Sequence, residues 1–176
     1  MSRPAAGTIK VLGIDPGLAA TGVGVVHGRG LRVERFAYGT IRTAARQPLA
    51  QRLECIYRRL TQMLGEEAPD LMVVEDAFSL ARYPKSGITL GQVTGVILLA
   101  GARSGLHVVE VAVREAKSVL TGNGNASKGQ LEGAVRRALE CDRPIRPDHA
   151  SDALGLALVG IFRYGQLRRA APPPTP

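Results

Sequence analysis

The chain has 176 residues, 45% of them hydrophobic, which is long enough for one domain with a real core. Aromatic residues make up 4% and Trp is absent, so that core has to be built from Val, Leu, Ile and Ala. With 23 Lys and Arg against 15 Asp and Glu the formal net charge is +8, which points to a polyanionic partner, nucleic acid before an anionic membrane surface.

Residues 1–8 read as a disordered polar lead. "IKVLGID" is then a buried strand that ends on a bare carboxylate, Asp15, before turning through Pro16-Gly17. "ATGVGVVHG" and "LRVERFAYGTIR" follow as two more strands, with Gly28-Arg29-Gly30 as the hairpin turn. Leu49, Leu53, Ile56, Tyr57, Leu60 and Leu64 recur at spacings of three and four, an amphipathic helix that stops near "GEEAPD". "LMVVED" is a short apolar strand carrying Glu75 at its end. A second helix spans about 87–103 and "HVVEV" is a fifth strand. A third helix covers about 127–140 with Ser127 as its N-cap, and the last begins near Asp148, itself read as an N-cap after Pro147. "AAPPPTP" closes the chain as a disordered tail, 167–176, leaving a single domain over 9–166.

The order βββαβαβαα suggests three hairpin-linked strands extended by parallel strands through helical crossovers, the plan of a ribonuclease-H-like α/β domain. Cys55 and Cys141 fit no C-x-x-C spacing and read as free thiols of a reducing cytosol. The first ten residues lack the apolar core of a signal peptide, and "VILLAGA" is too short to span a bilayer. A cytoplasmic protein is expected.

In an α/β sheet the parallel strands present their C-terminal ends to one crevice. If the first and fourth strands are neighbours, Asp15 and Glu75 converge there. The last helix opens with "PDHASDALGLA", in which His149 and Asp152, three apart, share a face, as do Asp148 and Asp152, four apart. Such a cluster is costly unless cations bind, and hard divalent ions such as Mg²⁺ or Mn²⁺ suit carboxylate oxygens. Two ions about 3.5–4 Å apart would clamp the attacking and leaving oxygens of a phosphodiester. Asp15 would then bridge them, Glu75 and Asp152 would each hold one, and His149 would be a ligand or a base. Each residue alone has a plainer reading: a turn former for Asp15, helix-start acids for Asp148 and Asp152, a surface imidazole for His149. All the plain readings would have to hold together, in a basic protein.

"GIDPG…TGVGVV", "VVEDAF", "LGQVTGV", "REAKSVLTGNGNASKGQL" and "DHASDALGLAL" resemble the bacterial RuvC Holliday-junction resolvases, in order and spacing, from about Val11 to Phe162. The resemblance implies a homodimeric, Mg²⁺- or Mn²⁺-dependent endonuclease of recombination and repair. It would make symmetric paired nicks in a four-way DNA junction and work with the RuvA–RuvB branch-migration complex. By motif, the catalytic quartet is Asp15, Glu75, His149 and Asp152. Many members carry Asp where His149 stands, and an imidazole ligand leans the site toward Mn²⁺.

The resemblance also assigns Lys117 and Lys128 to junction DNA near the scissile phosphate, and Phe78 to a wedge against unpaired bases at the crossover. The following "SLARYPKSG" lacks the family's usual Asn, but Arg82 and Lys85 are candidate phosphate contacts. Gly87, Gly91 and Gly95 line one helix face at intervals of four, a smooth stripe for close packing. The plain reading sets that stripe on the sheet; the resemblance sets it at the dimer interface.

Two rivals stand beside this reading. A sugar-kinase or actin-like ATPase also starts strand–Asp–x–Gly, but needs two such halves where this chain has one. A DNA-binding module without catalysis would not need all four positions to carry metal-binding side chains.

Overall fold

The structure is a computed structural model that describes residues 7–76 and 84–165. Five strands form one sheet in the order β3-β2-β1-β4-β5. They are β1 (Ile9–Asp15), β2 (Ala20–Arg29), β3 (Arg32–Arg42), β4 (Leu71–Glu75) and β5 (His107–Val111). β1, β2 and β3 pair antiparallel, whereas β4 and β5 extend the sheet in parallel from β1. This is the mixed sheet expected from the element order.

The helices divide between the two faces according to strand parity. Successive side chains along a strand point to opposite faces, so one strand feeds both cores. Leu12 and Ile14 of β1 and Met72 and Val74 of β4 pack with Ile56, Leu60 and Ile97. Those partners lie on α1 (Leu49–Glu67) and α2 (Pro84–Arg103). Val11 and Leu71 and Val73 face the other way, into Leu154, Ala157 and Leu158 of α5 (Asp148–Tyr164). α3 (Val113–Thr121) and α4 (Lys128–Ala138) lie against α5 on that side. α5 is buried nearly all round from Ala150 to Ile161, which explains a helix with so few polar residues after its first turn.

Several expectations need correction. The hairpin turn falls at Gly30-Leu31, because Gly28 still pairs with Val33 in the ladder and only Gly30 takes a positive φ, +58°. Asp148 is not a cap: Pro147 holds the N-cap position and no side chain caps α5. Helix α3 was not anticipated, although Val113, Ala116 and Leu120 fall at i, i+3 and i+7 and left-handed Gly122 ends it. The stripe on α2 does not rest on the sheet, since a Cβ added at Gly91 or Gly95 would meet nothing within 4 Å. Gly101 is the α2 glycine that touches the sheet, against Met72 and Val108. α4, the helix expected over about 127–140, begins as expected, on a capping box in which Gln130 N–H donates to Ser127 Oγ (3.2 Å) and Ser127 N–H donates to Gln130 Oε1 (2.8 Å).

Among the described residues no helix is long and apolar enough to cross a membrane. The expected terminal lead and tail fall mainly on residues 1–6 and 166–176, outside the described residues.

Candidate active site

Parity and register bring the two strand-end acids together. Val11 of β1 and Val73 of β4 face α5, so Asp15 and Glu75, each an even number of residues further on, face it too. The parallel pairing Ile14↔Val74 then sets Asp15 and Glu75 side by side at the C-terminal edge.

Glycines bring α5 to them. A Cβ at Gly13 would strike the backbone of Ala153 and Ala157, and one at Gly22 the carbonyl of His149. A Cβ at Gly24 would lie 2.7 Å from Leu154 N. With three glycines beneath it, the helix backbone lies directly on β1 and β2, and its first turn carries His149 and Asp152 to the strand ends. His149 Nδ1 and Asp15 Oδ2 share a hydrogen bond of 2.5 Å. That bond leaves Nε2 as the ring nitrogen open to a ligand or a water.

The opposite wall comes from α3 and α4. A cavity of about 230 Å³ is lined by Glu75 and Asp152 together with Lys117 and Lys128, over an apolar floor that includes Ala116, Leu131 and Leu156. The capping box fixes Lys128 as the first residue of α4. Its Nζ stands 3.5 Å from Asp152 Oδ2 and 3.2 Å from Asp148 Oδ2.

The carboxyls sit in an environment that resists negative charge. Burial pushes Glu75 up to about 7, and the charges of Asp15 and Asp152 act in the same direction. Burial also raises Asp15, outweighing the hydrogen bond and charge of His149. Asp152 is raised by burial against the pull of Lys128. Three carboxyls gathered at one edge, each with its proton affinity raised by burial, form an oxygen donor set suited to a hard divalent cation. Among the described residues no three donors are already gathered closely enough to hold an ion. His149 on Asp15 and Lys128 on Asp152 take carboxylate lone pairs that an ion would use.

Thus Asp15, Glu75, His149, Asp152, Lys117 and Lys128 come together at one edge of the sheet. Phe78 and Arg82 lie outside the described residues, and for Lys85 the structure describes its place in the first turn of α2. Gly87, Gly91 and Gly95 lie on α2 and do not line this cavity. Asp148, read from sequence as an N-cap that shares a face with Asp152, instead pairs with Lys128.

Residues 11–160 match the family described as Crossover junction endodeoxyribonuclease RuvC. A protein of that name from Natranaerobius thermophilus is 36% identical over 154 residues, covering 88% of this chain and 95% of the relative. Another, from Chlorobium phaeovibrioides, is 42% identical over 156 residues, covering 88% and 82%. The T. thermophilus RuvC solved in complex with Holliday junction substrate superposes with a TM-score of 0.83 at 29% identity, covering 92% of this chain and 99% of that one. Sheet order, cleft and sequence agree, and the chain belongs to the RuvC family of crossover junction endodeoxyribonucleases, with their ribonuclease-H-like fold.

Proposed function

We propose that this endonuclease resolves four-way (Holliday) DNA junctions by symmetric paired nicks, with Asp15, Glu75, His149 and Asp152 holding Mg²⁺ or Mn²⁺. The observation that carries the reading is the convergence of three carboxyls, each raised by burial, at one sheet edge walled by two lysines. Two divalent ions per site, held by these residues, would activate a water and neutralise charge at the phosphate and leaving oxygen. Asp15, Glu75 and Asp152 contribute the oxygen ligands. We assign His149 a ligand role through Nε2, because the hydrogen bond between Nδ1 and the Asp15 carboxyl holds the ring in place and leaves Nε2 open, as second-shell bonds do for metal-bound imidazoles. Lys117 and Lys128 face the same cavity and hold the scissile phosphate. Phe78 stacks on a crossover base, and Arg82 and Lys85 meet the backbone beside it.

Two nicks related by symmetry need two sites related by a two-fold axis, which a homodimer provides. The outward face of α2 suits that contact: Gly91 and Gly95 leave it smooth, Gly87 continues the stripe, and Ile88 and Leu99 are 67% and 52% exposed. The RuvA–RuvB complex is the expected partner in recombination and repair, and a chromosomal DNA substrate means a cytoplasmic enzyme.

The test is a synthetic four-way junction and a linear duplex of the same sequence, each incubated with Mn²⁺, Mg²⁺ or chelator. Paired nicks in the junction alone, abolished by chelator, support the reading. Equal cutting of both substrates would mean a general nuclease, and tight junction binding without nicks in either metal a binding module. His149→Asp should keep activity and shift the preference from Mn²⁺ toward Mg²⁺; an inactive variant with unchanged metal and junction binding would make His149 a base instead.

A further inference from the structure

We infer that Asp148 is a positioning residue, which shares the Lys128 ammonium with Asp152 and so eases its displacement from Asp152 by a divalent cation. This rests on the metal-centre reading above. Asp148 and Asp152 are one turn apart on α5, and the ammonium spans both, 3.2 Å from the first and 3.5 Å from the second. The other oxygen of Asp148 accepts from Arg146 Nη1 at 2.8 Å, and Arg146 lies 3.7 Å from Glu132, one turn along α4 from Lys128. A chain of alternating charges thus runs from α4 to α5 and back to α4. Asp148 makes no capping bond to its own helix, so its side chain is committed to Lys128 and Arg146.

A cation that enters at Asp152 has to displace the ammonium. With Asp148 present the lysine gives up one of two carboxylates; without Asp148 it gives up both. The Asp148 side chain is half exposed and such pairs are weak, so removing its charge should weaken cation binding by about threefold rather than by orders of magnitude.

The experiment measures Mn²⁺ binding to the full chain by electron paramagnetic resonance of the free ion, without DNA. Asp148→Asn should weaken binding about threefold, and Asp148→Glu should restore it. In a Lys128→Gln background Asp148→Asn should have no further effect. Unchanged binding in Asp148→Asn overturns the inference. So does an equal loss with and without Lys128, which would be simple removal of a nearby charge. If the wild-type chain binds no Mn²⁺, the metal-centre reading itself fails and takes this inference with it.

Discussion

On one face of the sheet α5 lays its backbone on Gly13, Gly22 and Gly24; on the other, α1 and α2 stand off on Leu12, Ile14, Met72 and Val74. The side-chain face is an ordinary core, in which interdigitating apolar groups set the helix–sheet spacing. The glycine face gives up that filling so that the first turn of α5 reaches the strand ends. Close approach is what carries His149 within hydrogen-bond distance of Asp15. One face therefore chiefly sets stability, and the other sets the geometry of the cleft as well.

Substitutions on the two faces should separate those roles. The largest effect belongs to Asp15→Asn, which removes a metal-facing charge without touching the basic surface. Nicking should fall on the order of a hundredfold or more while junction affinity in a gel-shift assay stays within about twofold. On the side-chain face, Leu60→Ala should cost about 2–5 kcal/mol in denaturant unfolding. Its folded fraction should still bind Mn²⁺ and cut as before. On the glycine face, Gly22→Ala drives a methyl into the His149 carbonyl and should cost about 1–3 kcal/mol. The same change should lower nicking per folded molecule, because it moves His149 and Asp152. Equal specific activity in the two variants would erase the distinction.

The acid cluster adds a pH dependence to the glycine face. Glu75 is raised from 4.5 to about 7, so the folded state holds its proton more tightly than the unfolded chain does. Its contribution to stability is full below about 4.5 and is lost as pH rises through 7, about 3 kcal/mol if the whole shift is expressed. The metal-free protein should lose stability between pH 4.5 and about 7 in thermal melts, with Asp15 and Asp152 adding in the same direction. Mn²⁺ should raise Tm more at pH 7.5 than at pH 5, where protons compete for the ligands. Glu75→Gln should flatten the apo slope and abolish cutting.

The smallest effect is at Gly91 on the outward face of α2, where a methyl meets open space. Gly91→Ala should stabilise the isolated helix by about 0.5–1 kcal/mol. It should also weaken self-association in sedimentation equilibrium if that face joins two copies, and leave association unchanged if it does not.

Much of this was legible in the residues, for physical reasons. Alternation along "IKVLGID" and "LMVVE" fixes which face each terminal acid takes, and Ser127 with Gln130 announces the start of α4. α3 was harder: nine residues carry only two turns of periodicity, and its one fully buried side chain is Ala116. The plain reading of the α2 stripe failed because spacing groups residues on a face without saying which way the face turns. The glycines under α5 lie in "GIDPG" and "TGVGVV", where they read as strand residues of low propensity; only the register of β2 against β1 shows that they support one helix. Asp148 was misread because an acid after Pro at a helix start resembles a cap, whereas its partners come from Arg146 beside it and from α4.

The central claim, that Asp15, Glu75, His149 and Asp152 form a divalent-metal centre, is tested most directly by anomalous diffraction from crystals of the full chain soaked in Mn²⁺. The account predicts anomalous density among these four side chains, with His149 Nε2 as a ligand and the Lys128 ammonium withdrawn from Asp152. Density elsewhere, or none at Mn²⁺ concentrations that support junction cleavage, would contradict it.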